Sequence, residues 1–394
     1  MTVHPFRIDI RQSVLEDLKE RLWRTRWSGG AQATDWDRGT NPRYLEELCT
    51  YWRDRFDWQK QQDYLNTFAH YRADIDGIGI HFIHERSKAA NAVPLLLVHG
   101  WPDSFARFLK IIPMLTDPQA HGGDAADSFD VIVPSLPGYG FSDKPRKPEL
   151  TFEFGRLLHG LMIDVLGYRR FAVQGGDWGG MVAEHLARSY GSSVIGIQMT
   201  DVPYHHMFQK PSDPSAAEQK YLQKMEDFEQ KKGAYALIQG TRPLSLAQGL
   251  NDSPSGLAAW LVEKFQGWSD CDGDVEKRFT KDELLTHVMI YWVTETIGSS
   301  FCPYYDMANA GALRWISETI KKWVGSSDVP AGFALFPKDL VTPPREWAAR
   351  FFNVQRWSEM PRGGHFAAAE EPQLLAEEIR ATFRPLRSGY LSPQ

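Results

Sequence analysis

A short apolar run in this chain ends in a corner too tight for ordinary side chains. Phe171-Ala172-Val173-Gln174 reads as a strand, Gly175-Gly176-Asp177-Trp178-Gly179-Gly180 as a turn, and Met181-Val182-Ala183-Glu184-His185-Leu186-Ala187 as a helix. Glycines permit the strained angles and close backbone approach such a corner needs. The side chain at its apex, Asp177, is thereby presented outward. Taken alone, an aspartate there is equally well read as a helix N-cap, so the remainder of the chain decides its meaning.

That remainder repeats the same rhythm. The apolar run Val93–Val98 ends at His99-Gly100-Trp101-Pro102, and Phe105 to Leu115 follows as a helix. Asp130–Pro134 is the next strand, a helix covers about 151–167, and 194–199 and 331–336 are further strands. A last strand ends near Glu359, before the Gly363-Gly364-His365 loop and a closing helix over 371–383. Alternating strands and helices predict a mostly parallel doubly wound sheet, with ligands beyond the carboxyl ends of its strands. Residues 201–310 break the rhythm with helices at 218–232, 255–266 and 281–297, as an inserted lid would. Before about residue 85 lie a helix capped by Ser13, a second helix over 42–56, and a hairpin built from Phe68–Ile75 and Gly77–His84. The expected divisions are 1–85 (amino-terminal segment), 86–200 (first part of the core), 201–310 (helical lid) and 311–394 (second part of the core).

Of the 394 residues, 42% are hydrophobic and 24% charged, the proportions of a globular chain. A formal charge of −6 and the lack of a long basic run argue against nucleic-acid binding. No segment reaches the roughly 18 apolar residues of a membrane span. Cys49, Cys271 and Cys302 match no zinc, redox or disulfide spacing, which favours a reducing, cytoplasmic setting. The histidine pairs His81/His84 and His205/His206 suggest surface or loop roles instead of a metal set, and no cofactor is implied.

Nucleophile, acid and histidine follow in the chain order of an α/β-hydrolase, with Asp177 where serine is usual, Asp339 just past the strand 331–336, and His365 before the last helix. A carboxylate nucleophile forms an ester with a saturated carbon, such as that of an epoxide or alkyl halide. A histidine oriented by a second carboxylate then activates water against that ester. The resulting oxyanion needs fixed N–H donors, for which the backbone amides of Trp178 and Trp101 are placed.

Together the His-Gly-Trp-Pro loop, the Gly-Gly-Asp-Trp-Gly-Gly corner, Phe-Pro-Lys-Asp and Arg-Gly-Gly-His-Phe-Ala-Ala-Ala-Glu-Glu-Pro resemble the microsomal-type epoxide hydrolases, over nearly the whole chain. The resemblance implies an α/β-hydrolase fold with an inserted helical cap and an amino-terminal segment wrapped around core and cap. It also implies two cap tyrosines that hold the epoxide oxygen. Tyr235 matches the first; for the second Tyr305 is the better match and Tyr304 its competitor. Trp101, Trp178 and Phe366 are the expected substrate-binding residues. Asp339 stands where membrane-bound animal members typically carry Glu, which looks more like the soluble microbial branch. The expected substrate is a small lipophilic epoxide, with water as co-substrate. No membrane anchor is expected, and the only further partner considered is a second copy of the chain. A haloalkane dehalogenase shares the aspartate chemistry, and a non-catalytic ligand-binding protein could share the fold. A serine esterase is disfavoured because the corner has no serine at its centre.

Overall fold

The structure, a computed structural model, describes residues 2–28, 35–145, 153–309 and 326–387. Its sheet comprises β1 (Val3–Pro5), β2 (His70–Ile75), β3 (Ile78–Glu85), β4 (Val93–Val98), β5 (Phe129–Pro134), β6 (Phe171–Gly175), β7 (Val194–Met199), β8 (Ser327–Leu335) and β9 (Phe352–Glu359). The spatial order is β1-β2-β3-β5-β4-β6-β7-β8-β9. The pairs from β1 to β5 are antiparallel, and those from β5 through β4 to β9 are parallel. Every residue of β4 and of β7 is buried. Helices cover both faces of these strands, which is why their sequences run apolar instead of alternating.

Predicted and observed strands agree to within a few residues, but some helices differ. Ser13 does not cap the first helix: Gln12–Trp23 starts after Arg11 without a side-chain cap, leaving Ser13 inside the first turn. The next helix, Pro42–Asp54, is capped by Asn41, whose side chain accepts from the amides of Arg43 and Tyr44. The stretch read as one helix from Phe105 to Leu115 is a 3-10 turn, Phe105–Phe108, and a short helix, Ile112–Thr116. Pro113 lacks the N–H that a continuous helix would use there. The stretch at 151–167 is Phe154–Gly160 running into a wide turn, Leu161–Val165, and residues 151 and 152 lie outside the described residues.

Between β7 and β8 the chain is helical: Ala216–Lys232, Ala234–Thr241, Pro243–Asp252, Pro254–Trp268, Lys281–Thr294, Ile297–Ser300 and Cys302–Ala308. This cap covers the carboxyl ends of the parallel strands. The amino-terminal segment adds β1 to the antiparallel edge and grips the cap. Arg21 lies 2.7 Å from Asp252, the Thr40 hydroxyl donates to the Ala259 carbonyl at 2.5 Å, and the Tyr51 hydroxyl donates to Asp282 at 2.8 Å. No helix among the described residues is long and apolar enough to cross a membrane.

Candidate active site

Four strand ends supply the site: β4 gives His99–Trp101, β6 gives Asp177, β8 gives Asp339 and β9 gives His365. Asp177 sits at φ +57°, a conformation a non-glycine residue adopts only under constraint. Two close approaches hold the corner shut. A Cβ on Gly179 would collide with the Val98 carbonyl oxygen, and one on Gly100 would enter the Asp177 carboxylate itself.

The Asp177 side chain is held at one oxygen and left open at the other. Its Oδ1 accepts the backbone amides of Trp101 at 2.9 Å and Trp178 at 2.8 Å. Its Oδ2 lies 3.9 Å from His365 Nε2, beyond hydrogen-bond reach. Nε2 is buried and has no hydrogen-bond partner among the described residues. On the other side of the ring, Nδ1 is 2.8 Å from Asp339 Oδ1. The Trp101-Pro102 peptide bond is cis.

Burial raises the Asp177 pKa, an effect opposed by His365 and the two amides. Burial also opposes charge on His365, but Asp339 and Asp177 together outweigh it and lift the imidazole to about 9. The histidine loop is tied to the cap, since the His365 amide donates to the Trp268 carbonyl at 2.8 Å. Beneath it, Arg107 donates to the His365 carbonyl at 2.8 Å and pairs with buried Asp103 at 2.8 Å. Sequence reading passed over Arg107 and Asp103, whose separation of four positions was the available signal.

An aromatic box roofs the site. Tyr235 stacks on Trp101 with 5.2 Å between ring centroids and only 5° between planes. Tyr304 stands edge-on to Trp178 at 5.1 Å and to Tyr235 at 6.0 Å. Burial pushes both phenols upward, so both are neutral donors. Tyr305 points away from this box and is 40% exposed. Successive helical residues face about 100° apart, so within Cys302–Ala308 only one of the two can look inward, and it is Tyr304. Phe366 is fully buried, stacked on Phe265 at 4.4 Å and edge-on to His365 at 5.2 Å. It therefore backs the histidine, whereas the backbone amides of Trp101 and Trp178 face the carboxylate.

The paired histidines are all buried, not at the surface. His81 bridges His70 and Ser135 inside the sheet, and His84 meets Tyr168. His205 and His206 gather around Glu184, the one cluster with metal-ligand types among the described residues. The Arg188 guanidinium already lies 2.7 Å from that carboxylate, with His206 at 3.0 Å. These partners compensate the buried charge of Glu184.

The model of the family described as "Epoxide hydrolase N terminus" matches residues 3–108, and that described as "alpha/beta hydrolase fold" matches 93–261. A protein of Stigmatella aurantiaca (strain DW4/3-1) bearing an epoxide hydrolase name is 43% identical, across 98% of this chain and 86% of its own. Epoxide hydrolase 1 of Oryctolagus cuniculus is 36% identical, covering 96% of this chain and 88% of its own. The crystal structure of juvenile hormone epoxide hydrolase from Bombyx mori superposes with a TM-score of 0.88 at 27% identity, covering 99% of this chain and 96% of that one. By sequence and by fold, this chain belongs to the epoxide hydrolases of the α/β-hydrolase fold.

Proposed function

We propose that the chain hydrolyses lipophilic epoxides to vicinal diols through an ester on Asp177. One observation carries this reading: Asp177 Oδ1 is bound by two amides while Oδ2 is open toward His365. Oδ2 attacks an epoxide carbon, the carbon–oxygen bond of the ring breaks, and a phenol of the Tyr235–Tyr304 pair gives its proton to the leaving oxygen. The inward position of Tyr304 favours it over Tyr305 as the second donor. The imidazolium of His365 returns a proton to the donating phenol, and water then attacks the ester carbonyl carbon while the neutral Nε2 takes its proton, with Asp339 holding Nδ1. Oδ1, now the carbonyl oxygen, carries the negative charge against the Trp101 and Trp178 amides. Collapse releases the diol, whose departing oxygen takes the remaining proton of the added water, and leaves Asp177 ionised and His365 charged as they began. The cycle thus consumes one water and needs no cofactor. The aromatic box suits apolar substrates. Among the described residues Cys49, Cys271 and Cys302 are free thiols, and the cytoplasm is the proposed location.

The test is to trap the His365→Gln variant with styrene oxide and digest it. A mass increase of one substrate on the peptide containing Asp177 is expected; its absence would refute the ester. Single turnover in heavy-oxygen water should place the label in the enzyme, not in the diol. The buried indole N–H groups of Trp101 and Trp178 have no hydrogen-bond partner among the described residues, and such donors would also suit a departing halide. Bromide release from 1-bromobutane without diol formation from styrene oxide would favour that second reading.

A further inference from the structure

A carboxylate that the scheme above does not use lies directly behind the nucleophile. Asp201 follows β7, and its Oδ2 accepts the backbone amide of Asp177 at 2.7 Å. Its other oxygen is buried with no hydrogen-bond partner among the described residues and abuts Gly180. The amide it holds belongs to the one residue of the corner at φ +57°. No regular strand or helix bond takes up that N–H, so Asp201 alone satisfies it.

We propose that Asp201 is a positioning residue for the nucleophile: one oxygen clamps the Asp177 amide, while the other, buried and without a partner among the described residues, carries a proton and so keeps a third negative charge out of the site. The inference rests on the covalent reading above. The groups that face Asp201 are Asp177 from the β6 corner, Asp339 after β8, His365 after β9, and Tyr221 from the cap helix Ala216–Lys232. Two of these are carboxylates and only one is a base. Burial, followed by Asp339, lifts Asp201 to about 7, against the opposing pull of the Asp177 amide and His365. Below that pH it accepts the amide as a neutral acid. Above it, a new negative charge faces the ester carbonyl where the oxyanion must form, and it also strengthens the imidazolium of His365. Both effects slow ester hydrolysis. Ester formation is spared, because it removes the charge on Asp177 that an ionised Asp201 would repel.

The experiment compares Asp201→Asn and Asp201→Ala with the unsubstituted enzyme, following ester formation and ester hydrolysis separately in rapid-mixing turnovers of styrene oxide from about pH 5.5 to 9. Asparagine keeps a neutral acceptor, so at pH 6 it should stay within about threefold in both steps, and its hydrolysis step should lose the inflection near pH 7. Alanine leaves the amide unpaired and should slow ester formation roughly tenfold at every pH. Alanine turning over at the unsubstituted rate would overturn the clamp. An asparagine variant that keeps the inflection, or falls as far as alanine at pH 6, would overturn the role of the uncharged acid. Ester formation in the His365→Gln background separates the two readings: no adduct in the parent refutes the ester itself, whereas an adduct that forms equally fast when Asp201→Ala is added refutes only the role of Asp201. Melting temperatures of both variants identify any loss that comes from unfolding.

Discussion

His365 and the carboxylates around it make protonation and chemistry inseparable at this site. The imidazole is lifted to about 9 from its ordinary 6.5, so folding favours its charged form. That stabilisation is fully present below about pH 6.5 and is lost as the pH rises through about 9. The melting temperature of the unsubstituted protein should therefore exceed that of His365→Gln by more at pH 6 than at pH 10, and a constant difference would contradict the charged resting state. At the phenols the geometry separates neighbours. A proton donor in the transition state contributes about 100- to 10,000-fold, shared here between two groups. Tyr304→Phe and Tyr235→Phe should each slow ester formation by about tenfold to a hundredfold, while Tyr305→Phe should change it less than about twofold. Rapid-mixing kinetics of the three variants would settle the assignment. Tyr304 and Tyr305 share one sequence context, so only the helix phase distinguishes them, and that phase is set by where Pro303 starts the turn.

Elements were legible where local chemistry dictated them. β4 and β7 are buried on both faces and read as unbroken apolar runs. The corner at Asp177 was visible because Gly175 and Gly179 are required by backbone contacts, not by preference. A Gly179→Ala substitution drives a methyl into the Val98 carbonyl and should destabilise the protein by about 3 kcal/mol, at the upper end of overpacking costs, as measured by denaturant unfolding. Caps were harder to read, because serine next to a helical pattern has the right chemistry whether or not the chain begins the helix there. Asn41 holds two amides and Ser13 holds none. Asn41→Ala should accordingly cost about 1 kcal/mol and Ser13→Ala much less. Three of the buried histidines, His81, His84 and His206, were misread for a related reason: their partners, Ser135, Tyr168 and Glu184, are remote in sequence, so nothing local announced that their polar atoms could be satisfied inside.

Across the whole molecule, the cap is joined to the catalytic histidine by more than the aromatic box. The turn after Pro254–Trp268 carries Asp270, whose carboxylate accepts the Gly363 amide at 2.9 Å and pairs with Arg278 at 3.1 Å. Arg278 reaches on to Glu371 at 2.8 Å, which also pairs with Arg362. Glu370 accepts the amides of Asp270 at 2.8 Å and Phe366 at 3.0 Å. Residues 362–371 are thus fastened to the cap on both sides of His365, although nearly a hundred positions separate the two segments. Such a latch fixes the imidazole relative to an ester that forms beneath the cap. An amide left unpaired by loss of one charged acceptor costs about 1–3 kcal/mol. If that loosening is felt at the histidine, Asp270→Ala should slow ester hydrolysis roughly tenfold and leave ester formation, which needs no base, within about twofold. Equal slowing of both steps would mean that the latch serves the nucleophile or the fold as a whole, and an unchanged hydrolysis step would mean that the Trp268 carbonyl and Arg107 hold the loop unaided.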